Sequence, residues 1–168
     1  ERHKTLNKYI QSKFKLLQNQ IKGQIAIVKK DDLLIKKFIK SNSFNSKIIK
    51  INTKETEYFL KDIENKYFST ETNKENLSFV IEISKKLKLK KNLLIEAIKN
   101  FNGLKYRQQI IFRKKYLTII NDSKSTTFSS SMGVLKANNN IYWLLGGIYK
   151  KGDKFNLPKE YFSNIKAF

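Results

Sequence analysis

The run Leu117-Thr118-Ile119-Ile120-Asn121-Asp122-Ser123-Lys124-Ser125-Thr126-Thr127-Phe128 decides how this sequence is read. An apolar strand gives way to a polar loop, and a helix follows from Thr127 or Phe128 to Lys136. A further apolar run, Ile141-Tyr142-Trp143-Leu144-Leu145, then meets Gly146-Gly147. Strand, loop, helix, strand predicts a parallel sheet of the α/β class. Ligands of such sheets bind beyond the carboxyl ends of strands, where a helix N-terminus offers free N–H groups to an anion. The loop supplies a carboxylate, an ammonium and several hydroxyls, a set that suits a nucleotide or a charged substrate. The same composition also fits a polar loop in which Asp122 or Ser123 merely caps the helix. Gly146-Gly147 lets backbone approach a ligand, with Lys150, Lys151 and Lys154 nearby, although Gly-Gly also serves many ordinary turns. No GxxxxGK[ST] phosphate loop occurs in the chain, so any ATP phosphates must be held by residues outside it.

Upstream of this run, residues 108–112 and 116–120 read as strands joined by the basic turn Arg113-Lys114-Lys115. Asn102-Gly103 is a helix stop signal and marks a domain boundary, giving residues 1–103 and 104–168. In the first part, residues 5–20 form a helix with Leu6, Tyr9, Ile10, Phe14 and Leu17 near a 3.6 period. Gly23 breaks it before the buried strand 25–28. Asp31-Asp32 caps the next helix through Ile39, and residues 47–51 form a second strand. Residues 57–69 read as irregular strands or a hairpin. An amphipathic helix over 76–87 places Leu77, Val80, Ile81 and Leu87 on one face, and a further helix covers 92–101. The chain stops inside an apolar run, 164–168, that reads as the start of a strand, so a fragment of a longer protein is expected.

The chain has 168 residues with 40% apolar and 12% aromatic content, enough for a packed core of one domain or parts of two. Cysteine is absent, which excludes disulfides, thiolate metal sites and a Cys nucleophile. No apolar run approaches the roughly 20 residues that span a bilayer, and Glu1-Arg2-His3-Lys4-Thr5 lacks the apolar core of a secretory signal. A cytoplasmic location without membrane partners is expected. The net charge of +21 raises nucleic acid as a partner. However, the only arginines are Arg2, Arg107 and Arg113, and arginine is the residue suited to bidentate phosphate and base contacts. The lysines are dispersed among many Asn and Ile, which favours a solvated basic surface. A small lysine-rich nucleic-acid-binding protein is the alternative reading, and it requires lysines clustered on one face.

Lys13 falls on the apolar stripe of the first helix, four residues after Tyr9 and four before Leu17. It either snorkels to the surface or is partly desolvated, which lowers its pKa and allows a neutral amine to form a carbamate able to bind Mg²⁺. His3 is the only histidine and has no partner pattern for a triad or zinc site. Asp31-Asp32 is better explained as a helix cap than as an acid–base pair. Tyr142-Trp143 reads as core.

Asn121-Asp122-Ser123-Lys124-Ser125-Thr126, with Leu144-Leu145-Gly146-Gly147 and the lysines behind it, resembles the C-terminal domain of Mur ligases. Three upstream segments agree in order. Tyr9-Ile10-Gln11-Ser12-Lys13 resembles the central-domain helix whose lysine is carbamylated. Thr72-Asn73-Lys74-Glu75-Asn76 resembles the family's His-Asn-x-x-Asn segment, and Gly103-Leu104-Lys105-Tyr106-Arg107 its Gly-Leu-Pro-His-Arg junction. The resemblance covers essentially the whole chain. It implies the later part of a central ATP-binding domain followed by the start of a Rossmann-like C-terminal domain. Within the family it is nearest the members that join D-glutamate to UDP-N-acetylmuramoyl-L-alanine through an acyl phosphate, with ATP and Mg²⁺ as cofactors and a monomeric complete enzyme. Lys13 would then be the carbamylated ligand of a Mg²⁺ ion, and Asn76 and Asn73 would contact the adenine side of ATP. Arg107 and Asp122 would reach the nucleotide. Lys124 and Thr126 would sit by the phosphate and D-glutamate, and Lys150 would bind the D-glutamate carboxylate. Thr72 replaces the family histidine, Lys105-Tyr106 replaces Pro-His, and Thr127 stands where asparagine is usual. The phosphate loop, the UDP-binding domain and the catalytic histidine are expected outside the chain, which alone should be inactive.

Overall fold

The computed structural model describes residues 5–148 and 152–168. Helix α1 (Leu6–Gln18) starts where the Thr5 side chain accepts from the Lys8 N–H, satisfying one of the orphan donors of the first turn. Strand β1 (Ile25–Lys29) follows, then α2 (Leu33–Lys40) and β2 (Lys47–Ile51). Asp32 caps α2, its Oδ1 accepting from the Ile35 N–H at 2.9 Å, as the sequence predicts. β1 and β2 pair in parallel with Ile27 opposite Ile49, so β1-α2-β2 is a crossover unit. α1 meets α2 through the stacked rings of Phe14 and Phe38, 3.9 Å between centroids.

Residues expected to be strands or a hairpin are helical instead: α3 (Lys54–Leu60) and a 3-10 turn (Lys66–Ser69). Glu55 and Glu57 lie in the first turn of α3, where carboxylates favour the positive end of the helix dipole. Thr56 is fully buried and donates to the Lys74 carbonyl of the next helix. Burial against a neighbouring helix outweighs the β-favouring Tyr58 and Phe59.

Helix α4 (Glu71–Lys86) begins five residues earlier than the apolar pattern alone indicates, because Thr70 accepts from the Asn73 N–H and starts it. Leu77 and Ile81 are buried, but Val80 and Leu87 are 47% and 65% exposed. The inward face of α4 continues through Asn73, Ser78 and Ser84, which the search for apolar spacing passes over. With α5 (Lys91–Asn100), these elements enclose one core of Ile63, Phe68, Leu77, Ile81 and Ile98. The Asn65 amide closes the C-terminal end of α5 by donating to the carbonyls of Ile98 and Phe101.

Gly103 takes φ +84, and a Cβ there would lie 2.6 Å from the Tyr67 ring. Beyond it, β3 (Gln109–Lys114) and β4 (Leu117–Asn121) form an antiparallel hairpin. Its turn is Lys115-Tyr116, so Arg113 and Lys114 belong to the strand rather than to the turn. α6 (Phe128–Ala137), β5 (Ile141–Tyr142), a second 3-10 turn (Lys159–Asn164) and β6 (Ile165–Ala167) complete the described chain. β5 is shorter than the expected 141–145. β6 supplies partners only for Ile141 and Tyr142 and a carbonyl for the Trp143 N–H, and Leu144 stands 97% exposed. β5 and β6 are parallel, but β4 and β5 lie in separate two-stranded sheets. Trp143 joins Phe128, Phe155 and Phe162 in an aromatic cluster, in keeping with a core role, whereas Tyr142 is 76% exposed.

Gly103→Ala is expected to cost about 1–3 kcal/mol, from the positive φ and the overlap with Tyr67 together. Urea denaturation of the two forms measures it, and a change below about 0.5 kcal/mol would contradict the close approach.

Candidate nucleotide site

The loop after β4 is built by its own short side chains. Asn121 Oδ1 accepts from the Ser123 N–H at 3.1 Å, and Asp122 Oδ2 accepts from the Ser125 hydroxyl at 2.7 Å. Asp122 Oδ1 reaches out of the loop to the Gln108 N–H at 3.0 Å. The Lys124 N–H donates to the Tyr106 carbonyl at 3.0 Å. The loop is therefore fastened to residues 106–108 along two bonds. Tyr106 and Gln108 both have left-handed backbone, φ 65 and φ 48, a conformation that is unfavourable for residues with a Cβ and persists only where surroundings hold it. Here the Tyr106 N–H is taken by the Gln109 side chain and the Gln108 N–H by Asp122.

Gln108 extends the connection to the first turn of α4. Its Oε1 accepts from the Asn73 amide at 2.8 Å and from the Thr70 hydroxyl at 3.1 Å. Asn73 is buried, and its second amide hydrogen goes to the Tyr67 carbonyl at 2.6 Å. Tyr67 in turn packs edge-on to Phe68 and Phe101. Burial pushes the Tyr67 phenol above the ordinary value of 10.0; the Arg107 charge and a Leu104 backbone bond oppose the rise, and Asp122 adds to it. Arg107 and Asp122 thus both act electrostatically on this ring.

The structure brings Asn73, Arg107 and Asp122 together around Tyr67 and Gln108, with Lys124 and Thr126 on the loop that Asp122 anchors. Asn76 lies almost one turn further along α4 and is exposed. Arg107 and Lys124 are exposed cations, a donor set that fits a polyphosphate. Lys13 stands apart: it is exposed on α1 with its ammonium 5.4 Å from the centre of the Tyr9 ring. Of the two sequence readings for Lys13, the structure has the surface one. Among the described residues there is no cluster of three or more acidic or histidine side chains that could hold a metal. Lys150 lies outside the described residues.

The N-terminus of α6 is not open to an anion as the strand–loop–helix pattern suggests. Asp153 accepts from the Phe128 N–H at 2.9 Å and Thr127 Oγ1 from the Ser130 N–H. A cleft of about 290 Å³ lies behind the loop, between the first 3-10 turn, the hairpin and α6. It is lined by Tyr67, Thr70 and Gln108 but by none of Asn76, Arg107, Asp122 or Lys124. Sequence reasoning missed Tyr67 and Gln108. Tyr67 fell in a segment read as strand, and Gln108 carries no signal beyond its place next to Arg107.

Residues 1–97 match the family model described as the Mur ligase middle domain, and the chain belongs to that family. Curated relatives extend the similarity. The UDP-N-acetylmuramoylalanine--D-glutamate ligase of Rickettsia bellii (strain RML369-C) is 30% identical over 186 residues, covering 99% of this chain and 41% of the relative. The protein of the same name from Rickettsia prowazekii (strain Madrid E) is 30% identical with the same coverages. That of Wolbachia sp. subsp. Brugia malayi (strain TRS) is 34% identical over 96 residues, 57% of this chain and 19% of the relative. The chain thus spans about two fifths or less of the length of these relatives. No solved structure matches it. No described helix is long and apolar enough to cross a membrane.

Because its pKa is raised, Tyr67 contributes stability that is fully present below pH 10 and is lost as pH rises through the higher folded-state value. Tyr67→Phe is expected to remove that part of the alkaline loss. Unfolding midpoints of both forms at pH 8 and pH 11 test this, and parallel declines would contradict it.

Proposed function

We propose that the chain is part of an ATP-dependent ligase that joins D-glutamate to UDP-N-acetylmuramoyl-L-alanine in peptidoglycan synthesis. Residues 1–103 are the later part of its central ATP-binding domain, and residues 104–168 the start of a Rossmann-like C-terminal domain. The observation that carries the reading is the convergence of Asn73, Arg107 and Asp122, distant in sequence, on one hydrogen-bonded node. Asn73 donates there to the Tyr67 carbonyl and to Gln108, Gln108 donates to Asp122, and Arg107 is the neighbour of Gln108 in the chain. Relatives bearing that ligase name align over 99% of the chain. The parallel β5–β6 pair beside α6 supports the Rossmann-like assignment.

The chemistry follows from the difficulty of making an amide from a carboxylate. An oxygen of the L-alanine carboxylate attacks the γ-phosphorus of ATP, and ADP leaves. The D-glutamate amine then attacks the acyl carbon, and phosphate departs as the amide forms. Charge develops on phosphate oxygens in the first step, and positioned cations stabilise it. Arg107 and Lys124 supply such cations from the C-terminal side, with Asn76 and Asn73 facing the adenine. Thr126 and Lys150 serve D-glutamate. Mg²⁺ would supply further charge neutralisation, and a carbamate on Lys13 would be one of its ligands. The other ligands come from outside the described residues. The dispersed lysines are surface charge in this reading, and no comparison favours nucleic acid as partner.

The complete ligase should release phosphate from ATP only when both UDP-N-acetylmuramoyl-L-alanine and D-glutamate are present. Phosphate release indifferent to D-glutamate would sink the assignment. In the same assay Arg107→Ala should lower kcat/KM for ATP by at least about tenfold, the usual scale for loss of a charged phosphate contact. Lys13→Ala should abolish activity that excess bicarbonate cannot restore; retained activity would exclude the carbamate.

A further inference from the structure

We infer that the β3–β4 hairpin docks on an anionic lipid surface, with its turn and one of its two faces entering the headgroup region. The inference goes beyond the ligase reading and does not rest on it. The expectation of no membrane partner rests on the lack of a bilayer-spanning run, which bears on crossing a membrane and not on touching its surface.

Strand pairing sorts the hairpin's side chains into two faces. Opposed residues of an antiparallel pair share a face, and successive residues alternate. Arg113 pairs with Thr118 and Ile110 with Ile120, and these four line the cleft shared with the first 3-10 turn and α6. Phe112 opposite Ile119 and Lys114 opposite Leu117 therefore make up the other face. That face stands open: all four residues are exposed, Leu117 at 53%. Ile111 at the bulge is exposed as well, and Tyr116 in the turn reaches 89%. Burial falls from half-buried Gln109, Ile110, Ile120 and Asn121 to exposed residues throughout 111–119. The hairpin is held at its base and open at its tip.

The same stretch is basic without counter-charge. No acidic residue lies between Glu96 and Asp122. The Lys114 ammonium sits 5.8 Å from the centre of the Phe112 ring, and that of Lys115 5.3 Å from the centre of Tyr116. Cations laid over aromatic rings, beside Leu117 and Ile119, make a surface both apolar and positive. It fits the boundary between headgroups and acyl chains, where apolar side chains leave water and lysines meet lipid phosphates. A nucleic acid would satisfy the lysines and could stack on the rings, but it would leave Leu117 and Ile119 in water. A second copy would set like charge against like charge.

The test is co-sedimentation of the complete protein with vesicles of phosphatidylglycerol and phosphatidylcholine in equal parts. Because this chain carries a net charge of +21, the control removes equal charge elsewhere. Lys114→Gln with Lys115→Gln should weaken partitioning at least about tenfold, since a cation at an anionic surface contributes about fivefold. Lys37→Gln with Lys40→Gln, at exposed positions near the end of α2, should weaken it less than about threefold, because screening dulls charges held away from the surface. Tyr116→Ser, which leaves the charge unchanged, should weaken it about fivefold through lost apolar contact. If Tyr116→Ser lowers the urea midpoint, Tyr116→Gln takes its place with the same expectation. Equal losses in the two lysine pairs, or undiminished binding without Tyr116, would overturn the inference. So would a Lys114 and Lys115 variant that loses affinity for a DNA duplex yet keeps its affinity for the vesicles, which would assign the hairpin to nucleic acid instead.

Discussion

The buried amide of Asn73 is the constraint around which the site is arranged. An amide taken out of water must find partners for its two hydrogens or cost about 1–3 kcal/mol per unmet group. Asn73 lies in the first turn of α4, where its own backbone N–H is already taken by Thr70. Its side-chain partners come from elsewhere: the Tyr67 carbonyl from the preceding 3-10 turn and the Gln108 oxygen from the segment beyond Gly103. Meeting this one requirement draws residues 106–108 against α4. Asp122 and the loop after β4 then follow, because they are bonded to those residues.

The same constraint separates the charges that hold the fold from those left for a ligand. Asp122 spends both carboxylate oxygens on Gln108 and Ser125, and Asp153 spends one on the start of α6. These acids act as internal braces. Lys29 is likewise committed, to Glu75 at 2.6 Å, a bond that holds its pKa above the ordinary 10.5 and ties the end of β1 to α4. Arg107 and Lys124, by contrast, are exposed beside a braced carboxylate. In a chain of net charge +21, these two stand on backbone joined by the Gln108–Asp122 and Lys124–Tyr106 bonds.

Much of this was legible where local rules and tertiary packing agree. The Asp32 cap, β1, β2, α5 and the start of α6 follow from apolar spacing and capping residues that the folded chain uses as expected. The segment 57–69 was not legible, since Tyr58, Phe59 and Tyr67 favour strands locally while Thr56 and Phe68 are buried against α4. The length of β5 was hidden for a different reason: a strand ends where its partner does, and β6 spans only Ile165–Ala167. For the site, the polar loop and Arg107 were visible in the sequence. Gln108 was not, because its importance lies in a left-handed backbone and in bonds to residues 35 and 38 positions away.

One departure from the family pattern sits at a contact between helices. Thr72 stands where the family has histidine, on the first turn of α4. Gly133 of α6 faces that turn, and a Cβ on it would lie in ordinary van der Waals contact, 3.7 Å from Thr70 Cβ and 3.8 Å from Thr72 Oγ1. Thr72 is itself exposed, so α6 meets it on one side only. Small side chains on both sides let α6 rest on the start of α4, next to the Thr70 and Asn73 bonds to Gln108. The bonds that Thr70 and Asn73 make to Gln108 do not call on the side chain at position 72.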